Sequence, residues 1–287
     1  MRIAVCNNKG GSAKTALVVN TAAALAEAGE DVDVYELDPQ GNASRRLAAR
    51  PTTSDVSISE AIKAEEPGCV IDALRPCGWG VETEEQPDGT VRRVESIYSQ
   101  RIRVAGARFD LENRITELEA GAHLRLKTAI GDVDAGRISL FDTPPNLGHL
   151  TQLALAAVDM VILAVETEYD GVEGAIRVSD FIKRKAEALG NPDLHVGLVV
   201  PTHYRPGLNS HEFHLGTIPD QFPGLVWSAK GPDGEPIKAI HERAVIKDAC
   251  DVALPLRLYG TGPGKEMAAV FDLLAARIIK FRKELAA

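Results

Sequence analysis

The sequence has few cysteines and no long apolar run, and both absences narrow the kind of protein it can be. The four cysteines stand at positions 6, 69, 77 and 250 without a C-x-x-C pair, so their spacing predicts neither a metal site nor a disulfide framework. A membrane-spanning helix needs about 18 apolar residues in succession, and no such run occurs. Residues Met1 to Val5 lead straight into a glycine-rich segment and do not resemble a secretory leader. We therefore expect a cytoplasmic protein.

Basic residues are also in deficit. The chain of 287 residues carries a formal net charge of −9 at pH 7, which argues against a generally basic nucleic-acid-binding protein. The acidic excess lies mostly in the N-terminal part, so the net charge does not exclude a local basic surface nearer the C-terminus. With 45% hydrophobic residues the chain can bury one large core. We expect a single domain over residues 1–287, with insertions.

Residues 7–15, which read N-N-K-G-G-S-A-K-T, are the most informative segment of the chain. A short apolar run precedes them and a helical pattern follows, which is the context of a phosphate-binding loop. The backbone N–H groups of such a loop form an anion cradle, helped by the positive end of the following helix. Lys14 is expected to reach the β- and γ-phosphates of a nucleotide, and the Thr15 hydroxyl to hold Mg²⁺.

The loop departs from the usual pattern G-x-x-x-x-G-K-[ST] at two positions. Asn8 and Ala13 stand where that pattern has glycine, and the loop contains an additional lysine, Lys9. The second glycine position needs a small residue because the backbone passes close to the phosphate oxygens. A methyl group is expected to fit there, with some loss of nucleotide affinity or hydrolysis rate.

Two further segments combine a strand pattern with an aspartate. Residues 32–44 read V-D-V-Y-E-L-D-P-Q-G-N-A-S, which predicts a strand followed by a turn that carries Asp38. Residues 138–148 read I-S-L-F-D-T-P-P-N-L-G and have the form of a Walker B strand. Its aspartate, Asp142, is expected to hold the Mg²⁺ shell through water.

Together the three motifs resemble those of the ParA/MinD family of ATPases, and within it the ParA partition proteins. The loop K-G-G-x-x-K-T is similar to the family's deviant phosphate-binding loop, and D-T-P-P-N-L-G departs from the family only at Asn146. Glu36 replaces the first aspartate of the family's second motif, with the same charge and one more methylene. The resemblance implies an α/β fold of the P-loop NTPase type. This is a mostly parallel, doubly wound sheet with helices on both faces, as the helix–strand alternation also indicates.

The resemblance further implies the roles of the site residues. Asp38 would orient or deprotonate the attacking water, and Lys9 would reach across an ATP-bridged homodimer to the phosphates of the other subunit, like an arginine finger. Catalysis is thus assigned to Lys9, Lys14 and Asp38, with ATP and Mg²⁺ as cofactors and Thr15 and Asp142 at the metal. The predicted nucleotide-binding residues are Lys9, Gly10, Gly11, Ser12, Ala13, Lys14, Thr15, Ala16, Pro201 and Thr202, the last two beside the adenine.

The resemblance to ParA implies a dimer that binds DNA without sequence preference, through basic residues towards the C-terminal side. Residues 199–205, V-V-P-T-H-Y-R, match the family's strand-and-loop segment and make Arg205 a candidate. Residues 240–245, I-H-E-R-A-V, fall where the family carries I-P-R, which adds Arg243 and the nearby Lys247. Contacts of this kind are made to phosphates, so the binding is expected to be sensitive to salt and blind to sequence.

Hydrophobic periodicity predicts the elements between the motifs. Helices are expected over about 14–28, 42–49, within 54–64, and over 110–130, 149–157, 171–189 and 264–285, and strands over about 3–6, 32–37, 137–142, 159–165 and 194–200. Residues 76–106, with a P-D-G turn at 87–89, are predicted as a hairpin or irregular insertion, and residues 216–240 as a second one. The apolar side of the last helix fits packing on the sheet better than a membrane surface.

The resemblance therefore implies an ATP-dependent dimer that binds non-specific double-stranded DNA. Such a dimer drives the partition of plasmid, phage or chromosomal DNA with a ParB-like adaptor, on the nucleoid and away from membranes. The alternatives are a ParA relative that positions a protein cargo, a MinD-like regulator that cycles on a membrane, and a binding module without hydrolysis. A redox ATPase like the nitrogenase iron protein is excluded because no cysteine lies between positions 77 and 250.

Overall fold

The computed structural model describes residues 1–80, 82–85, 91–117, 119–231, 233–260 and 262–285, with 82–85 and 91–94 described by their backbone alone. Its strands are β1 (Arg2–Cys6), β2 (Val32–Glu36), β3 (Leu74–Pro76), β4 (Glu82–Glu85), β5 (Val91–Val94), β6 (Ile102–Ala105), β7 (Ile138–Asp142), β8 (Met160–Glu166), β9 (His195–Thr202), β10 (Ala229–Lys230) and β11 (Pro236–Ile237). Its α-helices are α1 (Lys14–Glu27), α2 (Asn42–Arg46), α3 (Ile58–Ala64), α4 (Ile97–Arg101), α5 (Arg125–Ile130), α6 (His149–Ala157), α7 (Tyr169–Lys185), α8 (Asn209–Gln221), α9 (Ala244–Asp251) and α10 (Gly262–Leu285).

A seven-stranded sheet in the order β3-β6-β2-β7-β1-β8-β9 forms the centre of the molecule. All neighbouring strands in it are parallel except β3, which pairs antiparallel with β6. Strand β1 lies between β7 and β8, with Val5 opposite Asp142 and Ile162. The predicted mostly parallel sheet is therefore confirmed, and its strand ends bring the three sequence motifs to one edge.

The sheet buries an apolar core on each face. Side chains alternate along β1, so that Ile3 and Val5 join one core while Ala4 and Cys6 join the other. Helices α1 and α10 cover the first core, where Phe271, Leu274 and Ile278 of α10 are buried. Helices α6 and α7 contribute to the second. The last helix thus packs in the core, as its periodicity predicts. Among the described residues no helix is long and apolar enough to span a membrane.

Three predicted segments differ in the structure. The helix expected over 110–130 is broken into 3-10 turns at Phe109–Thr116 and Ala122–Leu124, followed by the short α5; Leu118 of its predicted apolar face lies outside the described residues. Segment 76–106 contains the predicted hairpin, β4 with β5, but also β6, a strand of the main sheet. Its turn at 87–89 lies outside the described residues. Segment 216–240 begins inside α8 and then forms the small β10–β11 ladder, with Pro232 outside the described part.

Candidate functional site

The candidate site lies at the carboxyl edge of the sheet, where ligands bind in open α/β folds. The phosphate loop follows β1, Asp38 follows β2, Asp142 ends β7 and Thr202 ends β9. These loops line a cavity of about 890 Å³. Its walls include the whole segment from Gly10 to Leu17, together with Asp38 and Thr202. The strand order therefore assembles residues that the sequence separates by more than a hundred positions.

Local hydrogen bonds hold the phosphate loop in shape. The Asn7 amide donates to the carbonyl oxygens of Ala164 (2.7 Å) and Gly171 (3.0 Å), which ties the loop to β8 and α7. The Thr202 hydroxyl donates to the Ser12 carbonyl at 3.4 Å. A Cβ atom added at Gly10 or Gly11 would meet no atom within 4 Å. The loop thus surrounds open space, as an anion cradle must.

Lys14 lies buried at the floor of this cradle. Its ammonium donates to the Lys9 carbonyl at 3.0 Å and to the Ser12 hydroxyl at 3.3 Å. Burial lowers the pKa of Lys14, while the charges of Asp142, Cys6 and Asp38 oppose that shift. An ammonium whose partners among the described residues are all neutral oxygens is well placed to exchange them for phosphate oxygens.

Thr15 and Asp142 form the second half of the predicted phosphate and metal site. The Thr15 hydroxyl donates to Asp142 Oδ2 at 2.8 Å, and the buried Asp142 Oδ1 has no hydrogen-bond partner within the described residues. Burial and then the charge of Glu36 raise the pKa of Asp142 to about 7. A buried carboxylate oxygen without a donor fits a hydrated Mg²⁺, which binds through one or two carboxylates and keeps several waters.

This buried carboxyl gives the metal-free protein an unusual dependence on pH. Because the folded-state pKa of Asp142 is raised, its ionisation costs stability as pH rises from about 4 to about 7. We expect Asp142→Asn to gain in free energy of unfolding relative to wild type over this range, with a constant difference above it. Urea denaturation without Mg²⁺ at several pH values measures this. A difference that does not vary with pH would contradict the assignment.

Glu36 stabilises the turn that carries Asp38. Buried at the end of β2, Glu36 accepts backbone N–H groups of Ala43 (2.5 Å), Ser44 (3.2 Å) and Ala107 (2.9 Å). Burial raises the pKa of Glu36, and these bonds oppose the shift. Asp38 itself accepts the Gln40 N–H at 3.0 Å and faces the cavity. The Glu36 carboxylate thus links the start of the Asp38 turn to its end at Ala43 and to the backbone of Ala107.

The backbone of Ala13 has a conformation that was not predicted from the sequence. It adopts φ 61° and ψ 14°, in the left-handed region, immediately before α1. That conformation costs a residue with a Cβ about 1–2 kcal/mol, and glycine adopts it freely. The reason for glycine at this position is therefore the backbone angle as well as the space beside the phosphates.

Replacing Ala13 by glycine should relieve this strain. We expect Ala13→Gly to raise the free energy of unfolding by about 1 kcal/mol. The matched control is Ala28→Gly at the other end of α1, where φ is −76° and glycine should destabilise. Thermal unfolding of both variants checks the result. A loss of stability in Ala13→Gly would show that the left-handed angle is not strained.

The remaining predicted residues divide into two groups. Pro201 lies inside β9, where its carbonyl accepts the Ile240 N–H at 2.8 Å, and Thr202 and Ala16 line the cavity. The DNA-binding candidates Arg205, Arg243 and Lys247 line the same cavity as the phosphate loop and are exposed. Arg205 is paired with Glu242.

Sequence reasoning missed the carboxylates that meet Lys9. The Lys9 ammonium donates to Glu166 Oε2 at 2.5 Å and lies 3.4 Å from Glu168 Oε2. Glu166 ends β8 and Glu168 precedes α7. The only signal for them is their position after a buried strand adjacent to β1, at the edge where the motifs meet.

The fold and the site define a P-loop nucleotide-binding protein with two lysines in its phosphate loop. A family model described as an AAA domain matches residues 1–196. The chain is 30% identical over 203 residues to the chromosome partitioning protein ParA of Myxococcus xanthus, which covers 70% of this chain and 64% of that protein. It is 33% identical over 201 residues to the sporulation initiation inhibitor protein Soj of Bacillus subtilis, covering 70% and 71%. The chain belongs to the ParA/MinD family of P-loop ATPases.

Solved structures share the fold over nearly the whole chain. The ATP complex of a McdA variant from Cyanothece has a TM-score of 0.74 at 15% identity and covers 94% of each chain. The septum site-determining protein MinD of Pyrococcus horikoshii, complexed with Mg-ADP, has a TM-score of 0.69 at 17% identity, with 98% and 96% covered. The match to the Myxococcus protein spans less than two thirds of that relative's length.

Proposed function

We propose that this chain hydrolyses ATP, forms a homodimer around it and, as a dimer, binds duplex DNA. In this proposal it drives partition of plasmid, phage or chromosomal DNA with a ParB-like adaptor, in the cytoplasm on the nucleoid. The observation that carries the proposal is the joint placement of Lys14, Thr15 and Asp38 around one cavity, with Asp142 bonded to Thr15. ATP and Mg²⁺ are the ligands that this arrangement fits. The similarity to a chromosome partitioning protein supports DNA as the proposed cargo.

The chain's own residues account for the steps of hydrolysis. Lys14 exchanges the Lys9 carbonyl and the Ser12 hydroxyl for β- and γ-phosphate oxygens. Thr15 and Asp142 would hold a hydrated Mg²⁺, which would neutralise charge on the phosphates. Asp38 orients the water that attacks the γ-phosphorus and accepts its proton, while the bond from that phosphorus to the β–γ bridging oxygen breaks and ADP leaves. Glu36 keeps the Asp38 turn in place. Lys9 of a second subunit supplies the remaining positive charge.

The proposed DNA contacts are the exposed cations beside the cavity. Arg243 and Lys247 form no ion pair within the described part of the chain, whereas Arg205 is neutralised by Glu242. Arg243 stands at the start of α9 and Lys247 on its first turn. Cations that are not paired within the protein can release condensed counterions from DNA, so Arg243 and Lys247 are the stronger candidates.

Binding to non-specific duplex DNA with ATP, with ADP and without nucleotide, over a salt series, tests this function. We expect binding only with ATP, with an affinity that falls steeply as salt rises. Arg243→Glu should abolish DNA binding, while the control Arg184→Glu, an exposed cation on α7, should leave it largely intact. Because Arg243 also lines the nucleotide cavity, ATP affinity is measured for both variants. Intact ATP hydrolysis without DNA binding in any state would contradict the proposal.

A further inference from the structure

Lys9 is held by carboxylates of its own chain. Its ammonium lies 2.5 Å from Glu166 Oε2 and 3.4 Å from Glu168 Oε2. The side chains of Lys9 and Glu166 are only 22% and 15% exposed. The pair is therefore partly removed from water, where a charge-assisted hydrogen bond is stronger than an exposed surface pair. In this arrangement the Lys9 ammonium is engaged by two carboxylates of its own chain.

Each carboxylate oxygen of Glu166 has its own partner. His203 Nδ1 lies 3.4 Å from Glu166 Oε1, and Lys9 occupies the other oxygen. Burial disfavours the ionised carboxylate, but His203 and Lys9 outweigh it and lower the pKa of Glu166 to about 2. The carboxylate is thus ionised at every physiological pH. It is a permanent counter-ion for Lys9.

The same contacts connect Lys9 to both sides of the nucleotide cavity. The Lys9 carbonyl accepts the Lys14 ammonium, which phosphate oxygens would displace. His203 follows β9, lines the cavity and adopts a left-handed φ of 52°. The Lys9 side chain, the phosphate loop and the loop after β9 therefore meet at one carboxylate.

We propose that Glu166, assisted by Glu168, is a positioning residue that keeps Lys9 within its own subunit until a second nucleotide-loaded copy of this chain offers its phosphates. The proposal rests on the proposed function, because it assumes an ATP-dependent dimer. Lys9 cannot contact its own carboxylates and another subunit's phosphates at once. Each dimer must therefore break two Lys9–Glu166 pairs, and the strength of the pair sets the protein concentration at which dimers form.

Removing the charge of Glu166 should favour the dimer. We expect Glu166→Gln to dimerise with Mg²⁺ and a slowly hydrolysed ATP analogue at about tenfold lower protein concentration than wild type, measured by sedimentation. The matched control is Glu173→Gln, which loses an exposed ion pair with Arg177 on α7. It should dimerise like wild type. Lys9→Ala should not dimerise, and adding Glu166→Gln to it should change nothing.

A second measurement tests retention of Lys9 without any dimer. Acylation of lysines in the nucleotide-free protein, read peptide by peptide in a mass spectrometer, reports how free each ammonium is. We expect Lys9 to react several-fold faster in Glu166→Gln than in wild type, and the exposed Lys183 to react equally in both. A cooperative thermal unfolding transition for each variant is the control that the variants are folded.

The two measurements separate the failure of this inference from the failure of the proposed function. If wild type does not dimerise with nucleotide, the proposed function fails, and acylation still decides whether Glu166 holds Lys9. If wild type dimerises but Glu166→Gln dimerises equally or more weakly, Glu166 does not restrain Lys9 and the inference is overturned. Unchanged acylation of Lys9 in Glu166→Gln overturns it as well.

Discussion

Lys14→Ala should abolish ATP binding at concentrations that saturate the wild type. The Lys14 ammonium is buried at the floor of the phosphate cradle, and its hydrogen-bond partners in the described part of the chain are neutral oxygens of Lys9 and Ser12. Each charge-assisted hydrogen bond that it would make to a phosphate contributes about 1.5–3 kcal/mol. Loss of contacts to two phosphates therefore predicts a fall in affinity of about a hundredfold or more. Calorimetric titration with ATP and Mg²⁺ measures it.

The control for this result must separate binding from folding. Lys63→Ala on α3 removes an exposed lysine and should leave ATP affinity unchanged. Without nucleotide, Lys14→Ala should unfold at a temperature close to that of wild type, because burial already opposes the charge of Lys14. With ATP, only wild type and Lys63→Ala should gain thermal stability. Wild-type affinity in Lys14→Ala would show that the cavity does not take phosphates at this loop.

The parts of the site that were predictable lie in contiguous sequence. The phosphate loop, the Asp38 turn and the Asp142 strand each combine an apolar run with a polar turn, so local pattern alone places them. Parallel strands then bring their carboxyl ends to one edge, where the Thr15 hydroxyl, expected like Asp142 at the metal, donates to Asp142. The predicted placement was observed where the candidate residues and the strand pattern belong to the same short segment.

The parts that were missed depend on pairs far apart in sequence. Lys9 and Glu166 are separated by 157 positions, and Glu36 and Ala107 by 71. Glutamates at these positions look like ordinary solvated charges until the strand order is known. The left-handed angle of Ala13 was hidden for another reason, since alanine rarely adopts it and nothing in the sequence around it shows the backbone angle.

Strand β6 of the main sheet was also not predicted from the sequence. Its four residues, Ile102–Ala105, include an arginine and follow a hairpin, so the pattern resembled an irregular insertion. In the sheet, Arg103 pairs with the buried Asp33 of β2 through Nε at 2.8 Å and Nη2 at 2.7 Å. A charged residue within a buried strand is accommodated there by a partner 70 positions away. Periodicity, which counts only apolar positions, does not detect such a pair.

Asp38→Ala should retain ATP and hydrolyse it about 10²–10⁴ times more slowly, which is the usual contribution of a general base. Asp38 lines the cavity with Lys14 and Thr15, and within the described residues the only hydrogen bond that its carboxylate accepts comes from the Gln40 N–H. One carboxylate oxygen is therefore available to a water beside the γ-phosphate. Single-turnover hydrolysis of radiolabelled ATP measures the loss. The variant should accumulate as an ATP-bound dimer, because binding is unimpaired and the reset by hydrolysis is slow.

Asp38→Asn distinguishes the chemistry of Asp38 from its part in the turn. Asparagine keeps an oxygen that can accept the Gln40 N–H, so the turn held by Glu36 should persist, but it cannot take up a proton. If Asp38 acts as base, Asp38→Asn should be as slow as Asp38→Ala. If it only shapes the turn, Asp38→Asn should hydrolyse ATP near the wild-type rate. Wild-type hydrolysis in both variants would remove Asp38 from the mechanism and leave the partner's Lys9 and the metal site to carry the reaction.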